Sequence, residues 1–268
     1  MTNPRMTVLV VGATGSVGRL VVDEALRQGH SVRALVRSTA KARGLPSEAQ
    51  VVIGDVTKPA TLSGAVDGID AVVFTLGSNG KGKAGAEGID YGGVRNVLQA
   101  LGSRPARIAL MTSIGVTNRT GSYNRSTEAH DWKRRSERLV RASGLPYTIV
   151  RPGWFDYNEP DQHRLLLLQG DTRQAGDSSD GVIARRQLAE VLVASLSSAA
   201  ALRTTFELVA ETGAAPDDLD ALFAPLGADP RGAVDGVHDQ ANMPVQGEPQ
   251  RVRDDLDAVL TRARNGHA

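Results

Sequence analysis

The chain contains no cysteine. A structural disulfide, a thiolate nucleophile and a cysteine-ligated metal are therefore excluded. Aromatics are scarce, with 4 Phe, 2 Trp and 4 Tyr among 268 residues, too few for a platform that stacks the bases of a nucleic acid. No apolar run approaches the roughly 18 residues that a membrane span requires. The 5 histidines are scattered without paired spacing, so no metal site is expected. No charged leader with an apolar core and cleavage site precedes the first strand, and a cytoplasmic location follows as the expectation. Neither sign of charge dominates, for the net charge is +1, but the two signs are separated along the chain. Residues 211–268 hold 11 acids against 5 arginines, a charge of −6, and residues 1–210 carry +7. The mildly basic front fits a phosphate-bearing ligand.

What is present is organised around residues 6–37. The apolar run Val8-Leu9-Val10-Val11 suits a buried parallel strand. Gly12-Ala13-Thr14-Gly15-Ser16-Val17-Gly18 follows, and Val17, Leu20, Val21 and Ala25 then mark one helical face that ends at Gly29. A second strand runs from Val32 to Val36. Strand, glycine turn, helix, strand is half of a dinucleotide-binding unit. Gly12 permits the tight turn, Gly15 lets a pyrophosphate approach the backbone, and Gly18 lets the helix pack close. The N–H groups of the helix start supply positive potential for the phosphates. A purely structural turn is the competing reading.

The end of strand two distinguishes the dinucleotides. An NAD site usually places an acid there for the ribose 2′-OH. This chain has Arg37, with Arg33 on the same strand, and no Asp or Glu between Glu24 and Glu48. A guanidinium suits a 2′-phosphate, so NADP(H) is preferred, with a solvated strand-end arginine the lesser reading of Arg37.

Further strands are expected at 50–53, 71–74, 107–111, 147–151 and 205–209, with helices near 59–66, 90–101, 130–142, 187–196, 217–223 and 252–263. The whole reads as one α/β domain over residues 1–268. Its fold class is a doubly wound parallel-sheet Rossmann fold with a small C-terminal substrate-side extension. Residues 1–153 form the cofactor core, 154–268 the substrate side, and 187–209 return to the core. Asp55 and Val56 follow strand three, where Asp55 either meets the adenine edge or caps the next helix. Leu76 and Gly77 stand at the carboxyl end of strand four, where ligands bind in such sheets. The glycine-rich stretch 77–88 and residues 116–128 read as loops, the former either a lid or plain surface. Residues 226–250 read as an arm of uncertain order. The final helix would dock on the body or on the second copy of a homodimer.

Gly12 to Gly18, Arg33 to Arg37, Gly54-Asp55-Val56, Thr112-Ser113 and the run from Lys133 through Glu137 to Arg151-Pro152-Gly153 together resemble the atypical, NmrA-like short-chain dehydrogenase/reductases. The resemblance covers about residues 6–155, and again 187–209. It implies a nicotinamide cofactor held by the glycine turn, Pro152 and Gly153, with hydride chemistry carried by a Ser or Thr after strand five and a Tyr-x-x-x-Lys helix. Ser113 matches the first position and Lys133 the lysine. Ala129 stands where the tyrosine belongs.

On helical spacing Lys133 lies at the edge of a buried face marked by Trp132, Ser136, Leu139, Val140 and Ser143. It could face the cofactor ribose, or shuttle a proton with its affinity lowered by Arg134 or Arg135, or simply pair with Glu137 at i+4. Tyr123, Tyr157, His130 and His163 are alternative proton donors. Trp154, Tyr123 and Tyr157 are candidate substrate contacts, with core packing the alternative for the 154–157 cluster. The expected function is an NADP(H)-dependent reductase of a carbonyl or activated double bond in a small molecule. The rival is a non-catalytic NADP(H) sensor, as in NmrA-type regulators. A sugar-nucleotide epimerase or dehydratase ranks lower, since that chemistry relies on the absent tyrosine.

Overall fold

The computed structural model describes residues 4–78 and 80–265. Met1, Thr2 and Asn3 lie outside the described residues, as does Asn79 of the glycine-rich stretch. In chain order come β1 (Thr7–Val11), α1 (Ser16–Arg27), β2 (Ser31–Val36), β3 (Gln50–Ile53), β4 (Ala71–Phe74), a one-turn α2 (Gly82–Gly85), α3 (Gly92–Leu101) and β5 (Arg107–Met111). They are followed by α4 (Ser122–Thr127), α5 (Ala129–Ala142), β6 (Tyr147–Pro152), β7 (Trp154–Phe155), β8 (Arg164–Leu168), β9 (Val182–Ile183), α6 (Arg185–Ala194), β10 (Thr204–Glu211), α7 (Leu219–Phe223) and α8 (Gln250–Asn265).

Seven strands pair in parallel in the order β3-β2-β1-β4-β5-β6-β10. This is the doubly wound α/β arrangement, with the strand order reversing between β1 and β4. The apolar run of β1 explains its central place, because a strand covered on both faces needs side chains that bury on each. Val8 and Val10 enter one core with α1 and α6, while Leu9 and Val11 enter the other with α3 and α5. β10 pairs with β6, so residues 187–209 do return to the sheet. β8 and β9 then join β10 antiparallel. Among the described residues no helix is long and apolar enough to cross a membrane.

Four segments differ from the sequence expectation. Residues 59–66 form two 3₁₀ turns instead of a helix. The Thr61 hydroxyl accepts from Asp55 N at 2.9 Å and donates to Lys58 O at 2.8 Å, competing with helical bonding. The stretch 77–88 is partly helical, since α2 runs through a π-helical turn (Ala86–Tyr91) into α3. Tyr91 is buried against Trp132 with ring centroids 5.3 Å apart, and that packing overrides the weak helix propensity of glycine. Within 116–128, α4 forms because the Asn124 side chain ties Arg119 O and Asp131 to the backbone N–H groups of His130 and Asp131.

The fourth difference is the arm. Residues 226–250 wrap α5 and hold it by charge. The expected single buried face on α5 is replaced by burial all round, for Arg134, Arg138 and Arg141 are 0%, 2% and 7% exposed. Asp235 binds Arg134 and Arg138 at 3.0 and 2.8 Å, Glu248 binds Arg135 at 2.5 Å, and Asp229 binds Arg141 at 3.1 Å. The acidic surplus of the C-terminal region thus meets the basic surplus of α5, which is not a field for a phosphate ligand. α8 covers the same helix of its own chain.

At the centre of this network Arg151 meets Glu137 at 2.7 Å, Asp239 at 2.7 Å and Glu207 at 3.3 Å, all with buried side chains. Among the described residues Glu207 gains one other donor, the backbone N–H of Asp171 at 3.1 Å. Burial pushes the Glu207 carboxyl up from 4.5 to about 7; Arg151 opposes the rise and the Asp171 charge adds to it. The folded chain therefore keeps a proton that the unfolded chain has lost, so stability falls as pH rises from about 4.5 through about 7. We expect thermal denaturation followed across that window to show this decline, and Glu207→Gln to flatten it.

Candidate functional site

A cleft of about 1000 Å³ crosses the carboxyl ends of the parallel strands at the switch point. That volume lies at the top of the range for single-ligand pockets, so there is room for a cofactor together with a small second molecule. The turn between β1 and α1 forms its middle. Gly12 has φ +97°, and a Cβ there would lie 2.7 Å from the Thr75 hydroxyl. At Gly18 a Cβ would lie 2.1 Å from Gly12 O. Gly15 is the N-cap of α1 and brings no side chain to bond the first N–H groups of the helix. Those donors are left for an anion. Thr14, Gly15, Ser16 and Val17 line the cleft with Gly12. Ala13 and Gly18 do not; both are buried behind the turn and act by letting helix and strand approach.

At one end Arg37 lines the cleft beside Arg19 and Lys41, two cations the sequence reading missed. Their signal was present: Arg19 follows Gly18 on the first turn of α1, and Lys41 stands one helical turn beyond Arg37. Arg33 does not join them. It donates to Ala65 O at 3.0 Å and Asp67 O at 2.5 Å, a structural role. Asp55 lines the cleft and accepts from Thr57 N at 2.9 Å, but it caps no helix, because Lys58 is the N-cap of the 3₁₀ turn that begins at Pro59. Burial raises its carboxyl, but the hydrogen bonds from Thr57 outweigh that and hold it below the ordinary value. Val56, Leu76, Gly77, Pro152 and Gly153 also line the cleft.

The other end gathers Ser113, Lys133, Tyr123, His130 and Trp154. The Ser113 hydroxyl is buried with no hydrogen-bond partner among the described residues, an acceptor and donor left facing the space. Lys133 does not pair with Glu137, because Arg151 and Arg141 occupy that carboxylate. Nor do Arg134 and Arg135 bear on it, being held by the arm. Its charged neighbour is Asp90, 3.6 Å away.

Tyr123 sits on α4 at the rim, 54% exposed, with its ring 5.2 Å from that of His130. Burial and the Asp90 charge push its phenol up, so it stays protonated. Burial pushes His130 down, which leaves a neutral imidazole at neutral pH. Tyr157 and His163 do not line the cleft; Tyr157 packs edge-on against Trp154 at 6.4 Å. Arg185 was missed altogether. It donates to the Ser16 hydroxyl at 3.1 Å and lies 4.7 Å over the Phe155 ring, bridging the glycine turn and the substrate-side rim.

The order-reversing parallel sheet, the glycine cradle at a bare helix start and the orphaned hydroxyl across the cleft fit a dinucleotide, and they define a dinucleotide-binding protein of Rossmann type. The family model described as NAD(P)H-binding matches residues 12–199, and the chain belongs to that family. This agrees with the resemblance to atypical short-chain dehydrogenase/reductases. Among relatives, sanguinarine reductase of Eschscholzia californica is 27% identical, over 83% of this chain and 97% of its own length. An uncharacterised chloroplast protein of Arabidopsis thaliana is 29% identical, over 83% of this chain and 76% of its own. A candidate NAD-dependent epimerase/dehydratase from Bacillus halodurans superposes with a TM-score of 0.68 at 26% identity, covering 81% of this chain and 98% of that one.

Proposed function

We propose that the protein is an NADPH-dependent reductase of a carbonyl or activated double bond in a small molecule. The observation that carries the reading is the pairing, in one cleft, of a dinucleotide cradle with an unoccupied hydrogen-bonding group, Ser113, and a cleft-lining ammonium, Lys133. A regulator that only senses the cofactor has no need of either. The similarity to a sanguinarine reductase supports reduction as the direction of the chemistry.

The glycine turn and the first N–H groups of α1 would hold the pyrophosphate. Arg37, with Arg19 and Lys41, would hold the 2′-phosphate. A reduced nicotinamide supplies hydride when bound. Ser113 would donate to the substrate oxygen and fix its position. Lys133 would deliver the proton, and Tyr123 would border the substrate without supplying it. Trp154 and Phe155 give the substrate an apolar wall beside Pro152 and Gly153.

Purified protein titrated with NADPH and NADH should favour NADPH. Arg37→Ala is expected to remove about 1.5–3 kcal/mol of NADPH affinity, the worth of a hydrogen bond to a charged group. NADH affinity should stay unchanged. A screen of quinones, enones and aldehydes that follows NADPH absorbance should find turnover. Equal wild-type affinities would defeat the cofactor assignment, and firm binding without any turnover would defeat the reductase.

A further inference from the structure

Asp90 sits on the π-helical turn between α2 and α3. Its side chain is 1% exposed, and among the described residues neither carboxylate oxygen has a hydrogen-bond partner. A buried carboxylate without partners is costly enough that something must compensate it. What faces it is Lys133 Nζ on α5, at 3.6 Å from Oδ1. The separation makes this an ion pair and not a hydrogen bond. Other charges around the turn are engaged elsewhere. Lys83 binds Glu128, Arg251 binds Glu87, and Asp255 takes Arg95 and the Tyr91 hydroxyl. Along α5, Arg134, Arg135 and Arg138 belong to the arm. From α4 comes the protonated phenol of Tyr123, and from the start of α5 the neutral imidazole of His130, which Asp171 also faces. Among the described residues the Lys133 ammonium is the cation within ion-pair distance of Asp90.

The π turn accounts for the placement. One inserted residue rotates the following side chains by about 100°, and such turns recur at functional sites. Here it directs Asp90 toward α5, one turn beyond the Ala129 position that brings no polar group. Glu137, the i+4 neighbour of Lys133, cannot serve because Arg151 holds it.

We propose that Asp90 is a positioning residue: its carboxylate seats the Lys133 ammonium at the reactive end of the cleft, and this pair performs the proton delivery that a phenol at position 129 would otherwise perform. The proposal rests on the reductase reading for its chemistry. A bound reduced nicotinamide would supply hydride for the new C–H bond, and Lys133 would give one proton to the substrate oxygen or adjacent carbon. The substrate is reduced, the cofactor oxidised, and the amine recovers its proton from water. Asp90 touches none of the reacting atoms.

The test uses Asp90→Asn, Lys133→Ala and the double variant in the full chain, with ethylammonium as the probe. Ethylammonium should raise the Tm of Lys133→Ala and restore part of its turnover, and both effects should vanish in the double variant. The double variant should be more stable than Lys133→Ala, since it no longer buries a lone charge. Asp90→Asn should lower kcat by roughly tenfold while NADPH binding changes by less than about twofold. The proposal fails if ethylammonium acts equally on the single and double variants, or if Asp90→Asn leaves kcat at the wild-type value. Should Asp90→Asn not fold, ethylammonium is compared with tetramethylammonium on Lys133→Ala; selective stabilisation by the smaller ion supports the seat, and equal effects overturn it. If the wild type turns over no acceptor, the reductase reading falls, and the thermal-shift arm still decides whether Asp90 seats an ammonium.

Discussion

Glu137→Ala is expected to cost about 3–5 kcal/mol of stability, the range for removing one partner of a buried ion pair. The Glu137 carboxylate is fully buried and accepts from Arg151 Nε at 3.0 Å, Arg151 Nη2 at 2.7 Å and the Thr112 hydroxyl at 2.7 Å. Arg141 adds a contact at 3.3 Å. Removing it takes a carboxylate from two buried guanidiniums between α5 and β6, leaving Arg151 with Asp239 and Glu207 and Arg141 with Asp229, in a space that water does not reach. The exposed pair of Glu87 and Arg251, with side chains 42% and 53% accessible, is the control. Glu87→Ala should change stability by less than about 1 kcal/mol. Urea unfolding read as a shift in midpoint at constant slope measures both. A Glu137→Ala midpoint no lower than that of Glu87→Ala would show the network to be dispensable.

The same residue fixes an acid limb. Burial alone would raise the Glu137 carboxyl, but Arg151, and then Arg141 and Thr112, hold it down to about 2. A depressed folded value means the stabilisation is complete above the ordinary 4.5 and is lost as pH falls toward about 2. In Glu137→Ala that part of the acid transition should disappear.

Gly18→Val is expected to abolish measurable NADPH binding, a loss of at least about a hundredfold, comparable to an ångström-scale misplacement at an active site. The added Cβ would stand 2.1 Å from Gly12 O and 2.7 Å from Gly12 C, both backbone atoms that cannot rotate away. The turn or the helix start must move, and the phosphate cradle moves with it. Gly29→Ala separates this from general glycine strain. Gly29 has φ +84° and nothing within 4 Å of a built Cβ, so alanine there costs backbone strain without touching the cleft. Calorimetric titration should find Gly29→Ala binding NADPH normally and Gly18→Val not binding. Retained affinity in Gly18→Val would remove the glycine turn from the site.

The contrast between those glycines shows what the sequence carries openly. The β1 run, the glycine turn and the α1 stripe are local patterns, and each translates directly into the central strand, the cradle and the helix that caps it. Arg37 and Ser113 were equally readable because they sit at fixed offsets from strand ends. The arginines of α5 were not. Their spacing describes a polar helix, and only the distant acids at 229, 235 and 248 make it an interior one. Asp90 was hidden for a related reason. It stands at the first position of the helix expected over 90–101, where nothing marks its direction, while packing of Tyr91 on Trp132 makes it part of a π turn. Interactions between residues dozens of positions apart leave no mark on local periodicity.

The acidic wrap around α5 also constrains how this chain could have diverged. A buried ion pair can be exchanged for apolar side chains without loss, but only when both members change together. Positions 134, 138 and 141 and their counterparts at 229 and 235 should therefore drift as linked sets. A descendant that shed the wrap could keep these arginines in water, whereas one that kept it with leucine or methionine at 134, 138 and 141 would need apolar side chains at 229 and 235 as well.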